Sequence, residues 1–231
     1  MVDGAPVQAR PATMAWDLVG GVHVRCTGRD QGDMVSGRPG VEDRRAAVVA
    51  MPWSVPTQVH GAKVLTVTRP GGGAGEQADA LVTTTAGVAV AVLSADCAPV
   101  ALASAEGVLG VAHAGWRGLR DGVIEATVGA MRSLGATEVD AVLGPCIRAE
   151  CYHFGSDDLD VMVERLGPSV RSEDRDGGPS LDIPAAVGAA LAACGARLAV
   201  DAGVCTGCGD GYWSWRARAD TDRQATVAWR G

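Results

Sequence analysis

The stretch Ala98–Ala114, "APVALASAEGVLGVAHA", constrains the fold more than any other part of the chain. Two apolar, β-type runs flank Ala105, Glu106 and Gly107. A three-residue connection with glycine at positive φ closes a β-hairpin. In that register Ser104 faces Val108, and Pro99 faces His113. Side chains alternate along a strand, so Cys97 projects from the same sheet face as His113. As diagonal neighbours their Cβ atoms lie about 7–8 Å apart or less, a span that one metal ion bridges. A two-residue connection would reverse the parity and separate them. Pro99 lacks an N–H and marks a sheet edge or a strand start.

The rest of the chain extends this pattern. Val22–Cys26 reads as a short strand, and "VEDRRAAVVAM" has helical spacing until Pro52 and Pro56 stop it. "VPTQVHGAKVLTVTRP" reads as one or two strands with a turn or bulge at Gly61. "GGGAGEQ" has no Walker lysine and reads as a plain loop. "ADALVTTTAGVAVAVLSADC" supplies two further β-rich segments. Three helices follow. "LRDGVIEATVGAMRSL" places Leu119, Val123, Thr127, Met131 and Leu134 near one face, with Gly135 at its end. "SDDLDVMVERLG" stops at glycine. "LDIPAAVGAALAACG" has Asp182 as cap, Pro184 in the first turn and Gly195 beyond the end. The tail ends in a β-like run. Strand pairs joined by hairpins favour an α+β, single-domain αβ sandwich with mixed sheets and flanking helices over a doubly wound parallel fold. The whole of residues 1–231 is expected to form one domain, with 1–20 and 169–180 loose or loop.

A net charge of −7 argues against a nucleic-acid or membrane-surface protein, while leaving room for a small anionic substrate held by a few arginines. The N-terminus does not read as a secretion signal, and no long apolar run spans a membrane. Seven cysteines in that setting are expected as reduced thiols in the cytoplasm.

Two ligands do not make a metal site. The best third candidate is His60 in "TQVHG", beside a glycine that lets the side chain be aimed into a cleft. Three protein ligands with one open position describe a catalytic centre. The other cysteines carry less. "CTGC" (Cys205–Cys208) is a lone CxxC with no second pair at zinc-finger spacing, so no structural zinc is expected there. Cys146 and Cys151 are read as small buried residues. His153 approaches a metal only if its loop folds over the site, and His23 is read as structural. Trp213 or Trp215 could stack on a flat ligand, against the commoner core role.

"TQVHGAKV", "ADALVTTTAGVAVAVLSADCAPV", "HAGWRGL", "LGPCIRAECYHFG" and "SWRARADTDRQA", in that order, resemble the laccase-domain family. That family is also described as multicopper polyphenol oxidoreductase, purine nucleoside phosphorylase or peptidoglycan editing factor. The resemblance covers roughly residues 22–230. It implies a mononuclear metal, zinc with copper as alternative, held by His60, Cys97 and His113. It also implies a monomer acting on purine nucleosides and phosphate: phosphorolysis of adenosine, inosine, guanosine and methylthioadenosine, with deamination of adenosine. This chain departs from the pattern in three places. A Leu-Asn-Leu-Gly-type segment after Arg29 is missing, Arg216-Ala217-Arg218 replaces a double arginine, and His153 replaces a glutamate.

Phosphate suits the planar donor fork of arginine, which makes Arg29, Arg117 and Arg216 the candidates for holding it. Arg117 follows His113 closely at the start of an expected helix, where backbone N–H groups also favour anions. Asp96, just before Cys97, is a candidate acid/base or a local cap. Three rival readings remain. Cys97 and His113 could form a thiol hydrolase for peptidoglycan precursors. Copper-dependent phenol oxidation needs several clustered coppers and more than four histidines. A degenerate, non-catalytic binder is the third.

Overall fold

The computed structural model describes residues 13–231; the expectation of a loose segment over 1–12 lies outside them. In chain order the strands are β1 (Met14–Leu18), β2 (Val22–Cys26), β3 (Trp53–Ser54), β4 (Val64–Thr66), β5 (Ala80–Thr83), β6 (Ala89–Ser94), β7 (Ala98–Ala103), β8 (Leu109–Ala114), β9 (Asp140–Leu143), β10 (Arg171–Glu173), β11 (Pro179–Leu181), β12 (Arg197–Asp201) and β13 (Gln224–Arg230). The helices are α1 (Val41–Val48), α2 (Trp116–Asp121), α3 (Val123–Ser133), α4 (Ser156–Leu166), α5 (Ile183–Ala193) and α6 (Trp215–Arg218).

A six-stranded sheet of order β12-β9-β7-β8-β5-β4 stacks on a five-stranded sheet of order β1-β2-β13-β6-β3. Both are mixed: β12/β9, β4/β5 and β3/β6 run parallel and the remaining pairs antiparallel. Period-two alternation builds the layers. On the six-stranded sheet, Ala80, Val82, Val100, Leu102 and Ala112 face helices α2–α5. Leu81, Ala101, Leu109 and Val111 alternate with them and meet Val22, Val24, Val90 and Val92 of the other sheet. Ala89, Ala91 and Val227 then face outward onto Met34, Trp53 and Val55. Each central strand is therefore buried on both faces, which is why these strands are continuous apolar runs. Small residues keep the layers close. A Cβ on Gly110 would stand 3.1 Å from the Leu81 carbonyl and 3.4 Å from Thr127 of α3.

The hairpin has the expected register. Pro99 pairs with His113, the Ser104 amide donates to the Val108 carbonyl at 3.0 Å, and Gly107 has φ 80°. Pro99 stands near a strand start, inside the sheet rather than at its edge. The helix expected over 119–134 is two helices. Gly122, at φ 87°, ends α2 and starts α3. The expected face survives the break, because Leu119, Val123, Thr127 and Met131 are all buried. Asp182 caps α5 by accepting from the Ala185 amide at 2.9 Å.

Two stretches expected to be loose are ordered. Residues 14–18 pair along their whole length with β2, and Trp16 and Leu18 pack against the inter-sheet core. Within 169–180, β10 pairs antiparallel with β11 and a turn over 174–178 joins them. Both are short strands whose stability comes from a partner strand, so their own residues carry little signal. No helix among the described residues is long and apolar enough to cross a membrane.

Candidate metal centre

The alternation that builds the core also aims the donors. Residues 81, 101, 109 and 111 face the second sheet. Continuing the same parity to the strand ends points Asp79, Cys97 and His113 toward one corner of the sandwich. His60 arrives from the loop before β4. The ligand atoms of His60, Cys97 and His113 lie within 4.8 Å of one another, as the sequence-based trio requires. The two imidazoles meet edge to face, with ring centroids 4.8 Å apart.

Asp79 holds this corner together, and the sequence reading passed over it. Its carboxylate is fully buried. Oδ1 accepts from the His60 amide and from His113 Nδ1, both at 2.9 Å. Oδ2 accepts from the amides of Val59 at 3.1 Å and Gly61 at 2.8 Å. One side chain thus folds the "VHG" loop around itself and fixes the His113 ring, leaving Nε2 for a ligand. This is the outer partner that metal-bound histidines commonly have. Gln58 ties the same loop to β6. Its amide donates to the Leu93 carbonyl at 2.7 Å and its oxygen accepts from the Leu93 amide at 2.8 Å. The clue available in the sequence was a lone acidic residue entering an apolar strand, in "ADALV".

The backbone is strained where donors are presented. Among the described residues, the non-glycine positions with positive φ are His60 (61°), Asp96 (107°) and Ala219 (54°). Such conformations cost roughly 1–3 kcal/mol each and persist where surrounding bonds over-determine them. Gly115 makes room: a Cβ there would stand 3.1 Å from both Cys97 Sγ and the His60 ring.

Electrostatics matches the geometry. Burial pushes the Cys97 thiol up, but the His113 and His60 imidazoles outweigh it and bring the thiol down to about 6. Burial lowers His113, yet the Cys97 sulfur and the Asp79 carboxylate lift it to about 9. Burial also opposes charge on Asp79, and the hydrogen bonds from His113, Gly61 and Val59 hold its carboxyl below the usual range. Both shifts favour a thiolate beside a charged imidazole, and a divalent cation bound there would take the place of the imidazolium proton. One thiolate and two imidazoles form a donor set that fits zinc, and also copper.

The remaining candidates divide. Arg117 and Arg216 have no carboxylate partner among the described residues. Arg117 lies 4.3 Å over Trp116, and Arg216 lies 4.9 Å over Tyr152 while donating to the His153 carbonyl at 2.8 Å. Both guanidiniums and Cys97 act electrostatically on Tyr152, whose phenol is pushed up chiefly by burial and stays protonated. Tyr152 is a second residue that the sequence reading did not single out. The helix carrying Arg117 has six residues, too short to add the N-terminal field expected there.

Arg29 is engaged elsewhere. Its Nη2 stands 2.5 Å from Asp220, its Nε donates to the Tyr212 carbonyl, and it covers Trp213 at 4.0 Å. Trp213 is thereby occupied, whereas Trp215 is 57% exposed. Arg218 braces the same loop through Thr206, Tyr212 and Asp220. Asp96 is buried, and both carboxylate oxygens are used. Oδ1 accepts from the Thr206 hydroxyl at 2.7 Å and Oδ2 from the Arg216 amide at 2.6 Å. It sets the position of Arg216. His153 pairs with Asp174 at 2.9 Å and is not among the converging donors, and His23 pairs with Asp17 at the surface. Cys146 is buried as expected, but Cys151 is only partly buried and lies beside Cys208.

Known proteins share this chain's sequence and fold. The purine nucleoside phosphorylase SCO2081 of Streptomyces coelicolor is 39% identical over 176 residues, 74% of this chain and 72% of that protein. A purine nucleoside phosphorylase of Mycobacterium bovis is 34% identical over 194 residues, 80% of this chain and 76% of that one. The crystal structure of Neisseria meningitidis protein NMB0706 superposes with a TM-score of 0.84 at 26% identity, covering 95% of this chain and all of that one. The family profile described as multi-copper polyphenol oxidoreductase laccase matches residues 28–231, a span that contains all three converging donors and both Arg117 and Arg216. On that match and on purine nucleoside phosphorylases 39% and 34% identical over 74% and 80% of it, this chain belongs to the multi-copper polyphenol oxidoreductase laccase family.

Proposed function

We propose that this chain is a metal-dependent purine nucleoside enzyme that cleaves the N-glycosidic bond by phosphorolysis, with zinc at His60, Cys97 and His113. The observation that carries the reading is the convergence of those donors, with Cys97, Arg117 and Arg216 all acting on Tyr152 and neither arginine having a carboxylate partner among the described residues. The names of the relatives support it. Adenosine, inosine, guanosine and methylthioadenosine are the substrates proposed, with deamination of adenosine as a companion activity.

A zinc ion held by this trio supplies a Lewis acid with one position open to a reactant. The chain's own residues supply the rest. Arg117 and Arg216 grip phosphate and offset its charge. A phosphate oxygen bonds to C1′ while the C1′–N9 bond breaks and its electron pair leaves with the purine. Tyr152, kept protonated by burial, offers an O–H donor as negative charge grows on the base. Trp215, exposed beside Arg216, offers a flat face for the purine. Asp96 holds the Arg216 backbone in place, and Asp79 holds the His113 ring and the His60 backbone.

Incubation with adenosine or inosine, with and without phosphate, tests the reading. Base release that depends on phosphate supports phosphorolysis, and inosine formed from adenosine reveals deamination. Neither product at any zinc or copper loading overturns the proposal. One observation favours a second reading: the Cys97 thiolate beside the His113 imidazolium is also the arrangement of a nucleophilic thiol and its base. A Cys97→Ala protein that keeps its zinc and loses turnover would favour that thiol hydrolase. Phenol oxidation by a copper cluster is disfavoured by a chain with four histidines.

A further inference from the structure

The "CTGC" segment gains a third thiol in the folded chain. The ligand atoms of Cys151, Cys205 and Cys208 lie within 4.8 Å of one another. Cys151 Sγ and Cys208 Sγ are 3.3 Å apart. Glu150 joins them: its Oε1 stands 3.3 Å from Cys208 Sγ, and the carboxylate also reaches Cys205. We propose that Cys151, Cys205 and Cys208, completed by Glu150, form a second metal site, a closed structural centre for zinc or a similar thiophilic divalent ion.

Four observations argue for a built site. The two segments are registered by backbone: Cys146 and Cys205 form a parallel bridge, and the Thr206 amide donates to the Cys146 carbonyl at 3.0 Å. The Arg148 amide donates to Cys205 Sγ at 3.4 Å, the kind of contact that settles negative charge on a ligating sulfur. Gly207 is required between the two cysteines, because a Cβ there would stand 2.9 Å from Cys151 Cβ and 3.1 Å from its Sγ. Arg175 supplies positive charge, with Nη2 2.6 Å from Cys151 Sγ and 3.5 Å from Cys208 Sγ.

Three sulfurs and one carboxylate match the four-coordinate, all-protein shell of structural zinc. A dithiol switch between Cys151 and Cys208 would leave Cys205 and Glu150 without a part. Coordination turns three thiols into thiolates and releases their protons to solvent. The metal would pin the loop over 144–153 to the loop over 203–211. The first carries Tyr152. The second is tied through Thr206 to Asp96 and through Arg218 to α6, the helix of Arg216. Cys151 and Glu150 line an open cavity of about 220 Å³ with His153 and Asp174, and Cys208 is exposed, so the site can be loaded from solvent.

Elemental analysis of the full chain, after desalting in metal-free buffer, is the direct test. Wild type should hold about two metal equivalents, and Cys205→Ser/Cys208→Ser about one. Reconstitution with cobalt(II) adds a second readout. Thiolate-to-cobalt absorption should fall by about three-quarters in that double variant and by about one-quarter in Cys97→Ser, following the count of thiolates at each centre. Cys208→Ser alone, at an exposed position, provides the same test if the double variant does not fold. The proposal is overturned if Cys205→Ser/Cys208→Ser holds as much metal as wild type, by unchanged cobalt absorption in that variant, or by a Cys151–Cys208 disulfide in mapped peptides. Because neither readout uses turnover, failure here is distinguishable from failure of the nucleoside reading.

Discussion

The two sulfur-containing corners of the molecule use the same element for opposite ends. At His60, Cys97 and His113, one thiolate and two neutral imidazoles would leave a bound divalent ion with net positive charge and a donor set short of four. That combination attracts and polarises an anionic reactant. At Cys151, Cys205 and Cys208, three thiolates and a carboxylate surround the ion with excess negative charge and no vacancy. Such a centre holds chain segments together and does no Lewis-acid work. The supports differ too. The first corner is fixed by a fully buried carboxylate, Asp79, that accepts from three backbone amides and a ring nitrogen. The second depends on loop-to-loop contacts and on an exposed Cys208.

The sharpest way to break this division is Cys97→Ala. It should empty the first centre, leave the second loaded, and lower turnover by about 10³-fold or more, since several kcal/mol of Lewis-acid stabilisation is removed. Metal analysis beside a nucleoside assay checks it. Loss of both equivalents would show the centres to be one coupled unit. Asp79→Asn should weaken metal at the first centre by about 10–100-fold, because the His113 ring loses its charged partner. Competition with a graded chelator measures this, and the second centre should not change.

Arg117→Ala and Arg216→Ala should each raise KM for phosphate by about tenfold, the size of one lost charge-assisted contact. A fall in kcat with unchanged KM would instead place them on the transition state. The smallest effect belongs to Gly207→Ala. The added methyl should cost about 1–3 kcal/mol of stability and loosen metal at the second centre alone. Thermal melts with and without chelator read both. Equal loosening of the two centres would erase their independence.

Much of the first corner was legible in the primary sequence. The three-residue turn at Ala105–Gly107 sets the β7/β8 register, and period-two alternation then puts Cys97 and His113 on one face. The position of His60 beside a glycine pointed to the third donor. Asp79 was harder to see, because its role lies in bonds to residues 18 to 34 positions away. Arg29 was legible as a candidate, but its ion pair with Asp220, 191 residues along the chain, was not.

By itself, then, the sequence determined the apolar strand runs, the hairpin register, the caps of α5 and the face shared by Cys97 and His113. All of these follow from neighbours in the chain, where turn chemistry and alternation act. Only the tertiary structure decided which edge strands form, as at β1 and at β10/β11. Only it decided that Arg117 and Arg216 have no carboxylate partner among the described residues while Arg29 does. It alone brought Cys151 to the Cys205–Cys208 pair, across 57 residues from Cys208. Side-chain pairing over such separations depends on how layers pack, and packing is a property of the whole core.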